Sequence, residues 1–388
     1  MRIALGPRPL ARVVAVGATL SALLGACSDD DVVVFSCDDG VVDGDQVCFE
    51  GEAQAITLDA EPIALRVADF DGDGLADALV TGLTGEGLVG ALYRGTAGGA
   101  SATPIDVGIH GCSGHPVVGD LDHDPYADLL VATCEAQVLL FRGTSTGVFE
   151  PAITQPIPTL AKMITLADVD GDGAQDLVVL GDDLQLHVLL AVGAAAYGPA
   201  QTSALDGAAP LAFAIVDVDR DRRGDAVVLT GDDLEIGLGR PGGVFSMQGA
   251  ITAGPTPPLG LGTGDLDGDH KIDLLTRDGD DALVILRGDG AGGFSEGERI
   301  ELSLTAVGPI VAADLDRDGD DELVVADADE PRLHAWYRKE GRLRGPVVIE
   351  LPAPAVQLGV GDFNGDGAPD LAAATFSAGT LAIVLGSP

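Results

Sequence analysis

The chain has 388 residues, with 21 Lys plus Arg against 62 Asp plus Glu and a formal net charge of -41 at pH 7. That imbalance excludes a general basic surface for nucleic-acid phosphates. It does not signal disorder, because 46% of residues are hydrophobic and the mean hydropathy is +0.28, enough apolar material for a core.

Residues 1–12 carry Arg2, Arg8 and Arg12 and no acid, and an apolar stretch, 13–25, follows. At about 13 residues it is short of the roughly 20 that span a bilayer, and the pattern reads as a secretory signal peptide over 1–26. Leu24-Gly25-Ala26-Cys27 is similar to a bacterial lipobox. That resemblance implies cleavage before Cys27 and lipidation of its thiol. With Ser28 rather than Asp next, it implies an exported protein held at the outer membrane or cell surface. Residues 27–48 form the tether. Four further cysteines, Cys37, Cys48, Cys112 and Cys134, are an even count in an exported chain and suggest two disulfides. Local context favours Cys37 with Cys48 and Cys112 with Cys134. Metal ligation is the alternative, though the CxxC spacing of zinc sites is missing.

From residue 49 onward the chain repeats. Seven segments share one pattern: DFDGDGLAD (69–77), DLDHDPYAD (120–128), DVDGDGAQD (168–176), DVDRDRRGD (217–225), DLDGDHKID (265–273), DLDRDGDDE (314–322) and DFNGDGAPD (362–370). Their starts are 51, 48, 49, 48, 49 and 48 residues apart. Each is followed by a short apolar run, a second run after a Gly/Asp turn, a Gly-rich turn and a last run, with no helical periodicity. Four short strands per repeat predict an all-β fold, a seven-bladed β-propeller of four-stranded blades over 49–388. The chain stops after the third strand of repeat seven. FEGEAQAITLDAEP, from Phe49, is similar to the fourth-strand segments FEPAITQPIP and FSEGERIELSL. An N-terminal strand from 49–60 therefore completes the last blade and removes an open edge.

These Asp-rich repeats resemble the FG-GAP/VCBS repeat family, the blades of integrin α-subunit heads and of many bacterial surface proteins. The resemblance covers about 340 residues and rests on the Asp loops. It implies Ca²⁺ in the loop between the first two strands of each blade.

The residues themselves support the same ion. Acids at positions 1, 3, 5 and 9 of a tight loop aim hard oxygens at one centre, which suits Ca²⁺ better than Mg²⁺ or a transition metal. They are Asp69, Asp71, Asp73 and Asp77 in loop 1, and Asp120, Asp122, Asp124 and Asp128 in loop 2. Loop 3 has Asp168, Asp170, Asp172 and Asp176, and loop 4 has Asp217, Asp219, Asp221 and Asp225. Loop 5 has Asp265, Asp267, Asp269 and Asp273, loop 6 has Asp314, Asp316, Asp318 and Glu322, and loop 7 has Asp362, Asn364, Asp366 and Asp370. An EF-hand would need Glu at position 12, where Val80, Val131, Val179, Val228, Thr276, Val325 and Ala373 stand. Position 6 wants a positive φ and is Gly in loops 1, 3, 6 and 7, but Pro125, Arg222 and His270 in loops 2, 4 and 5. This ranks loops 1 and 3 first, then 7 and 6, then 5, with 4 and 2 last.

Strand alternation places the turns between second and third strands on the opposite face. They are acidic in four blades: Asp182 and Asp183, Asp232 and Asp233, Asp280 and Asp281, Asp327 and Asp329. A cationic partner would fit such a ring, as would plain solubility charge. The passage GIHGCSGHP, with His110, Ser113 and His115, lacks the GxSxG elbow and reads as a disulfide-pinned turn. No phosphate loop, dinucleotide fingerprint or HExxH motif is present. The sequence thus points to an exported, monomeric, calcium-binding surface module for a protein or glycan, anchored in the membrane by its lipid alone. A calcium-dependent polysaccharide lyase or hydrolase and an envelope scaffold are the alternatives.

Overall fold

The computed structural model describes residues 13–14, 34–35 and 49–387, apart from 85–86, 108–115, 206–209, 231–232, 252–257, 279–281, 303, 305–306, 340–341 and 377–378. Most of the signal and tether segments, with Cys27, Cys37, Cys48, Cys112, residues 110–115, Asp232, Asp280 and Asp281, lie outside the described residues.

Seven four-stranded antiparallel sheets follow one another along the chain, and no helix occurs among the described residues. Blade 3 is representative: Ala161–Ala167, Asp176–Gly181, Gln185–Leu189 and Gln201–Ala204 pair in that order. Blade 7 takes Ala355–Gly361, Asp370–Thr375 and Thr380–Gly386 from the C-terminal end and Phe49–Thr57 from the N-terminal end. Phe49 pairs with Gly386 and Thr57 with Thr380, so the expected closing strand is present. The first strands of neighbouring blades touch in cyclic order, which sets them around the axis. Blades 1 and 3 add a two-stranded ribbon that the sequence did not predict, Gly95–Thr96 with Gly99–Ala100 and Ala191–Gly193 with Ala196–Tyr197.

Burial follows strand position. Every residue of Asp128–Ala132, Asp176–Gly181, Asp225–Leu229, Glu322–Asp327 and Asp370–Thr375 is buried. These second strands have sheet neighbours on both edges and other blades on both faces, so they read as continuous apolar runs rather than alternating ones. First strands are half-buried and outer strands are largely exposed, as in Ile153–Pro156.

The core is divided among the joints between blades. Seven clusters of buried side chains each draw on two adjacent blades, one cluster per joint. Val227, Leu229 and Ile236 of blade 4, for example, pack on Leu274, Val284 and Leu286 of blade 5. Position 2 of each Asp loop lies in the cluster shared with the following blade: Phe70, Leu121, Val169, Val218, Leu266, Leu315 and Phe363. The joint between blades 7 and 1 is completed by Ile56 and Leu58 from the closing segment.

Ile56 is 4% exposed, so Ile56→Ala is expected to destabilise the protein by about 2–5 kcal/mol in denaturant titration. Val192→Ala, at a residue 69% exposed, is expected to stay within about 0.5 kcal/mol. Equal effects of the two would contradict the ring closure.

Candidate metal centre

Each Asp loop joins the first strand of its blade to the second and is held by nested side-chain turns. The position 5 carboxylate accepts the N–H of position 7 in all seven loops, at 2.7–3.0 Å. In loops 1, 3, 4, 5 and 7 position 1 accepts from position 6, as Asp69 Oδ2 does from Gly74 at 2.9 Å and Asp217 Oδ2 from Arg222 at 2.8 Å. Loop 2 cannot make this bond, because Pro125 has no N–H.

These turns require a left-handed backbone at two positions, not one. Position 6 has positive φ at Gly74, Gly173, Arg222, His270, Gly319 and Gly367. Position 4 has it too, at Gly72, His123, Gly171, Arg220, Gly268, Arg317 and Gly365. The glycines at position 4 in loops 1, 3, 5 and 7 were the available sequence signal. Loop 4 carries Arg at both positions and adopts the same shape against the steric cost of a side chain there.

Position 9 does more than offer a ligand oxygen. Asp77, Asp128, Asp176, Asp225, Asp273 and Asp370 are at most 1% exposed. One oxygen of each accepts the N–H of position 2: Phe70 at 3.0 Å, Leu121 at 2.7 Å, Val169 at 3.0 Å, Val218 at 2.8 Å, Leu266 at 3.2 Å and Phe363 at 2.7 Å. The other accepts an N–H at or just beyond the end of the third strand, from Gly95, Gly143, Ala191, Gly239, Gly288 or Gly386, at 2.7–2.9 Å. In loop 6 Glu322 Oε2 accepts from both Leu315 and Asp316. Position 9 is thus a clamp between loop and blade.

The loops gather carboxylates tightly. Oxygens within 4.8 Å of one another are offered by Asp69, Asp71 and Asp73, by Asp120, Asp122 and Asp128, and by Asp168, Asp170 and Asp176. Asp217, Asp219 and Asp225, and Asp265, Asp267 and Asp269, do the same. Loop 2, ranked last with loop 4 on its proline, is therefore as convergent as the others. Asp122 Oδ1, Asp265 Oδ1, Asp314 Oδ1 and Asp316 Oδ2 are buried without a hydrogen-bond partner. Unpaired buried carboxylate oxygens are costly. An all-oxygen donor set with unused lone pairs fits a hard divalent cation. Positions 1, 3 and 5, with the position 9 oxygen nearest them, would hold it.

Burial also acts on protonation. It pushes the position 9 aspartates up to about 6, against the lowering effect of their backbone hydrogen bonds, with neighbouring loop carboxylates adding to the rise. Burial, then Asp318 and Asp314, raises Asp316 to about 6, and burial with Asp316 raises Glu322 to about 9.

The opposite face is less uniform than its sequence. Asp182 and Asp183 are exposed, with Asp182 accepting from Thr159 Oγ1 and Asp183 lying 3.1 Å from His187 Nε2. Asp233 is half-buried and donates its N–H to Thr230 Oγ1. Asp327 corrects the expectation of a presented acid. It is 3% exposed, and its Oδ1 caps the turn by accepting from Asp329 and Glu330, which are themselves exposed.

A ring of seven four-stranded blades, with an acidic loop between the first two strands of each, defines a repeat β-propeller built around loops able to hold metal ions. The model of the FG-GAP-like repeat matches residues 69–131, 120–179, 265–325 and 314–373, more than half of the chain, and the chain belongs to that family. The matches pass over loop 4, where both left-handed positions are Arg. No curated protein matches the chain at a significant level. Among solved structures it is similar to an Agrocybe aegerita lectin described with specific recognition of non-reducing terminal N-acetylglucosamine. That likeness has 18% identity and a TM-score of 0.58, and covers 75% of this chain and 81% of the lectin. It is similar to BBS1N, solved in complex with ARL6DN, at 15% identity and TM-score 0.60 over 86% of this chain and 97% of that one. The WD40 domain of Toxoplasma gondii coronin is similar at 13% identity and TM-score 0.55 over 89% of each chain. These likenesses show the fold.

Two predictions follow from the loop geometry. A carboxylate raised above its unfolded value of about 4 stabilises the fold while protonated, and that contribution is lost as pH rises through the folded value. In chelator the melting temperature is therefore expected to fall between about pH 4 and about 6, and further toward 9 through Glu322. Divalent cation flattens this fall, since it binds the ionised form. A melting temperature independent of pH in chelator would contradict the assignment. Separately, Arg220→Gly with Arg222→Gly is expected to stabilise by about 1 kcal/mol, because two side chains leave left-handed positions. A loss of stability on thermal unfolding would show that the arginines' contacts outweigh the strain.

Proposed function

We propose that this chain is an exported, lipid-anchored binding module in which structural Ca²⁺ ions hold the Asp loops on one face and the opposite face takes a protein or glycan. The observation that carries the calcium reading is the set of convergent loop carboxylates with buried, unpaired oxygens. Family membership supports the same ion. Calcium sites of extracellular modules bind at roughly 10⁻⁴–10⁻³ M. At about 1 mM Ca²⁺ each such site contributes roughly 0.4–1.4 kcal/mol, so several rival the whole margin of about 5–15 kcal/mol of a folded domain.

Export is supported by the signal-like N-terminus with Cys27 and by the even count of four further cysteines, Cys37, Cys48, Cys112 and Cys134, which suits disulfides of an oxidising compartment. Cys112 with Cys134 is the proposed pair in the propeller. Binding is supported by the company of the fold: the similar lectin recognises N-acetylglucosamine and BBS1N was solved with a protein partner. Exposed Asp182, Asp183, Asp329 and Glu330 on the face away from the metal loops favour a cationic ligand.

Thermal unfolding with about 1 mM Ca²⁺ and then with chelator tests the metal half; a several-degree loss in chelator is expected, and no change would sink it. Capture of envelope proteins and of a glycan panel, at low and high salt, tests the binding half. Charge neutralisation at Asp182, Asp183, Asp329 and Glu330 is expected to weaken capture and its salt dependence. Capture indifferent to both would move the binding surface elsewhere.

A further inference from the structure

The seven loops differ in one feature that their Asp patterns hide. The N–H that donates to the second oxygen of the position 9 clamp belongs to Gly95, Gly143, Ala191, Gly239, Gly288 and Gly386 in blades 1 to 5 and 7. The residue just before it is Arg94, Arg142, Leu190, Leu238, Arg287 and Leu385. In blade 6 the equivalent residue, after Trp336 paired with Leu323, is Tyr337. Three blades thus carry arginine at a place where the other four carry an uncharged side chain.

All three arginines reach the same target. Arg94 Nε lies 3.1 Å from Asp71 Oδ2, Arg142 Nη1 3.4 Å from Asp122 Oδ2, and Arg287 Nη1 2.6 Å from Asp267 Oδ2. Each target is position 3 of the loop, with a side chain 5%, 10% and 13% exposed. Loop 4 has a local cation, Arg223 on Asp221. Among the described residues, no cationic group forms an ion pair with a carboxylate of loop 3, 6 or 7.

We propose that Arg94, Arg142 and Arg287 are built-in cations that occupy the electrostatic place of the metal in loops 1, 2 and 5, so that divalent ions concentrate in loops 3, 6 and 7. The inference rests on the calcium reading and deepens it. Guanidinium keeps its charge at every accessible pH, and its hold here is by charge and proximity: of the three, Arg142 alone also hydrogen-bonds its position 3 carboxylate, while Arg94 Nε is buried without a hydrogen bond. A divalent ion entering loop 1, 2 or 5 must displace that grip or share position 3 with a like charge. Loop 6 is the opposite case. Asp316 is 6% exposed, its Oδ2 has no partner, and Asp314 Oδ1 has none either. The charges acting on Asp316 come from Asp318 and Asp314, both of its own sign. Unpaired oxygens occur in loops 2 and 5 as well, at Asp122 and Asp265, so the two sets differ in charge supply rather than in hydrogen bonding. The arginine also separates loops 1 and 3, which the Asp pattern alone ranks together.

The test counts Ca²⁺ bound per chain by equilibrium dialysis and elemental analysis, on the full protein and on variants that remove or add the arginine. Arg94→Leu with Arg142→Leu and Arg287→Leu copies the side chain of blades 3 and 7 and is expected to bind more ions than the unsubstituted protein, with a lower melting temperature in chelator. Leu190→Arg is expected to bind one ion fewer and to melt higher in chelator. If the triple variant does not fold, Leu190→Arg and Leu385→Arg decide alone. Unchanged ion counts in every folded variant, beside clear Ca²⁺ binding by the unsubstituted protein, overturn the inference and leave the calcium reading standing. No bound Ca²⁺ in the unsubstituted protein overturns the calcium reading and this inference with it.

Discussion

The ring depends on the buried carboxylate at position 9. One side chain there holds two backbone N–H groups that belong to different parts of the blade, the start of the Asp loop and the end of the third strand. Both N–H groups would otherwise be buried and unpaired, at about 1–3 kcal/mol each. The clamp has a second consequence. By fixing position 2 it drives Phe70, Val169, Phe363 and their equivalents into the joint with the following blade. Position 1 then offers its carbonyl to position 8 of the next loop, as Asp362 does to Ala76, Asp69 to Ala127, Asp168 to Gly224 and Asp265 to Asp321. An acidic loop on the surface is therefore also the hinge pin between two blades.

This explains why acids are concentrated where repulsion is greatest. The nested turns need an acceptor at positions 1, 3 and 5, and a short acidic side chain supplies it without adding bulk. Asn364 shows that an amide serves the turn, since its Oδ1 accepts from Asp366 at 2.9 Å. The charge on the other positions is thus surplus to the turn itself. It leaves a demand for a cation, which Arg94, Arg142 and Arg287 meet at position 3 of loops 1, 2 and 5.

Much of this was legible in the sequence because the repeat is legible. A period near 49 residues, strand-sized apolar runs and a spare strand at Phe49–Thr57 fix the blade count and the closure. The acids of each loop were visible as a set. Four things were not. Position 9 looked like one more ligand, since spacing cannot distinguish an oxygen facing an ion from one facing a backbone N–H. Position 4 was overlooked because His123, Arg220 and Arg317 break its glycine pattern, though their φ values are +63°, +64° and +64°. The arginines were missed because Arg94 lies 23 residues beyond Asp71 in the chain and meets it across two strand pairings. On the far face, Asp327 read as surface charge because a capping acid and a presented acid look alike in sequence.

The division of the core into seven joints bears on how such a protein loses its structure. Each joint is a small apolar cluster between two sheets, and none is large enough to stand as a separate core. In an open array, weakening one joint would loosen one neighbour. In a closed ring each blade is held from both sides, and the last blade is built from both ends of the folded chain. Opening any joint therefore relaxes the constraint on the rest. Anything that steadies one loop acts on the whole ring. The face without the Asp loops is then free to vary in charge and shape, because the clamps that hold the blades together lie on the other side.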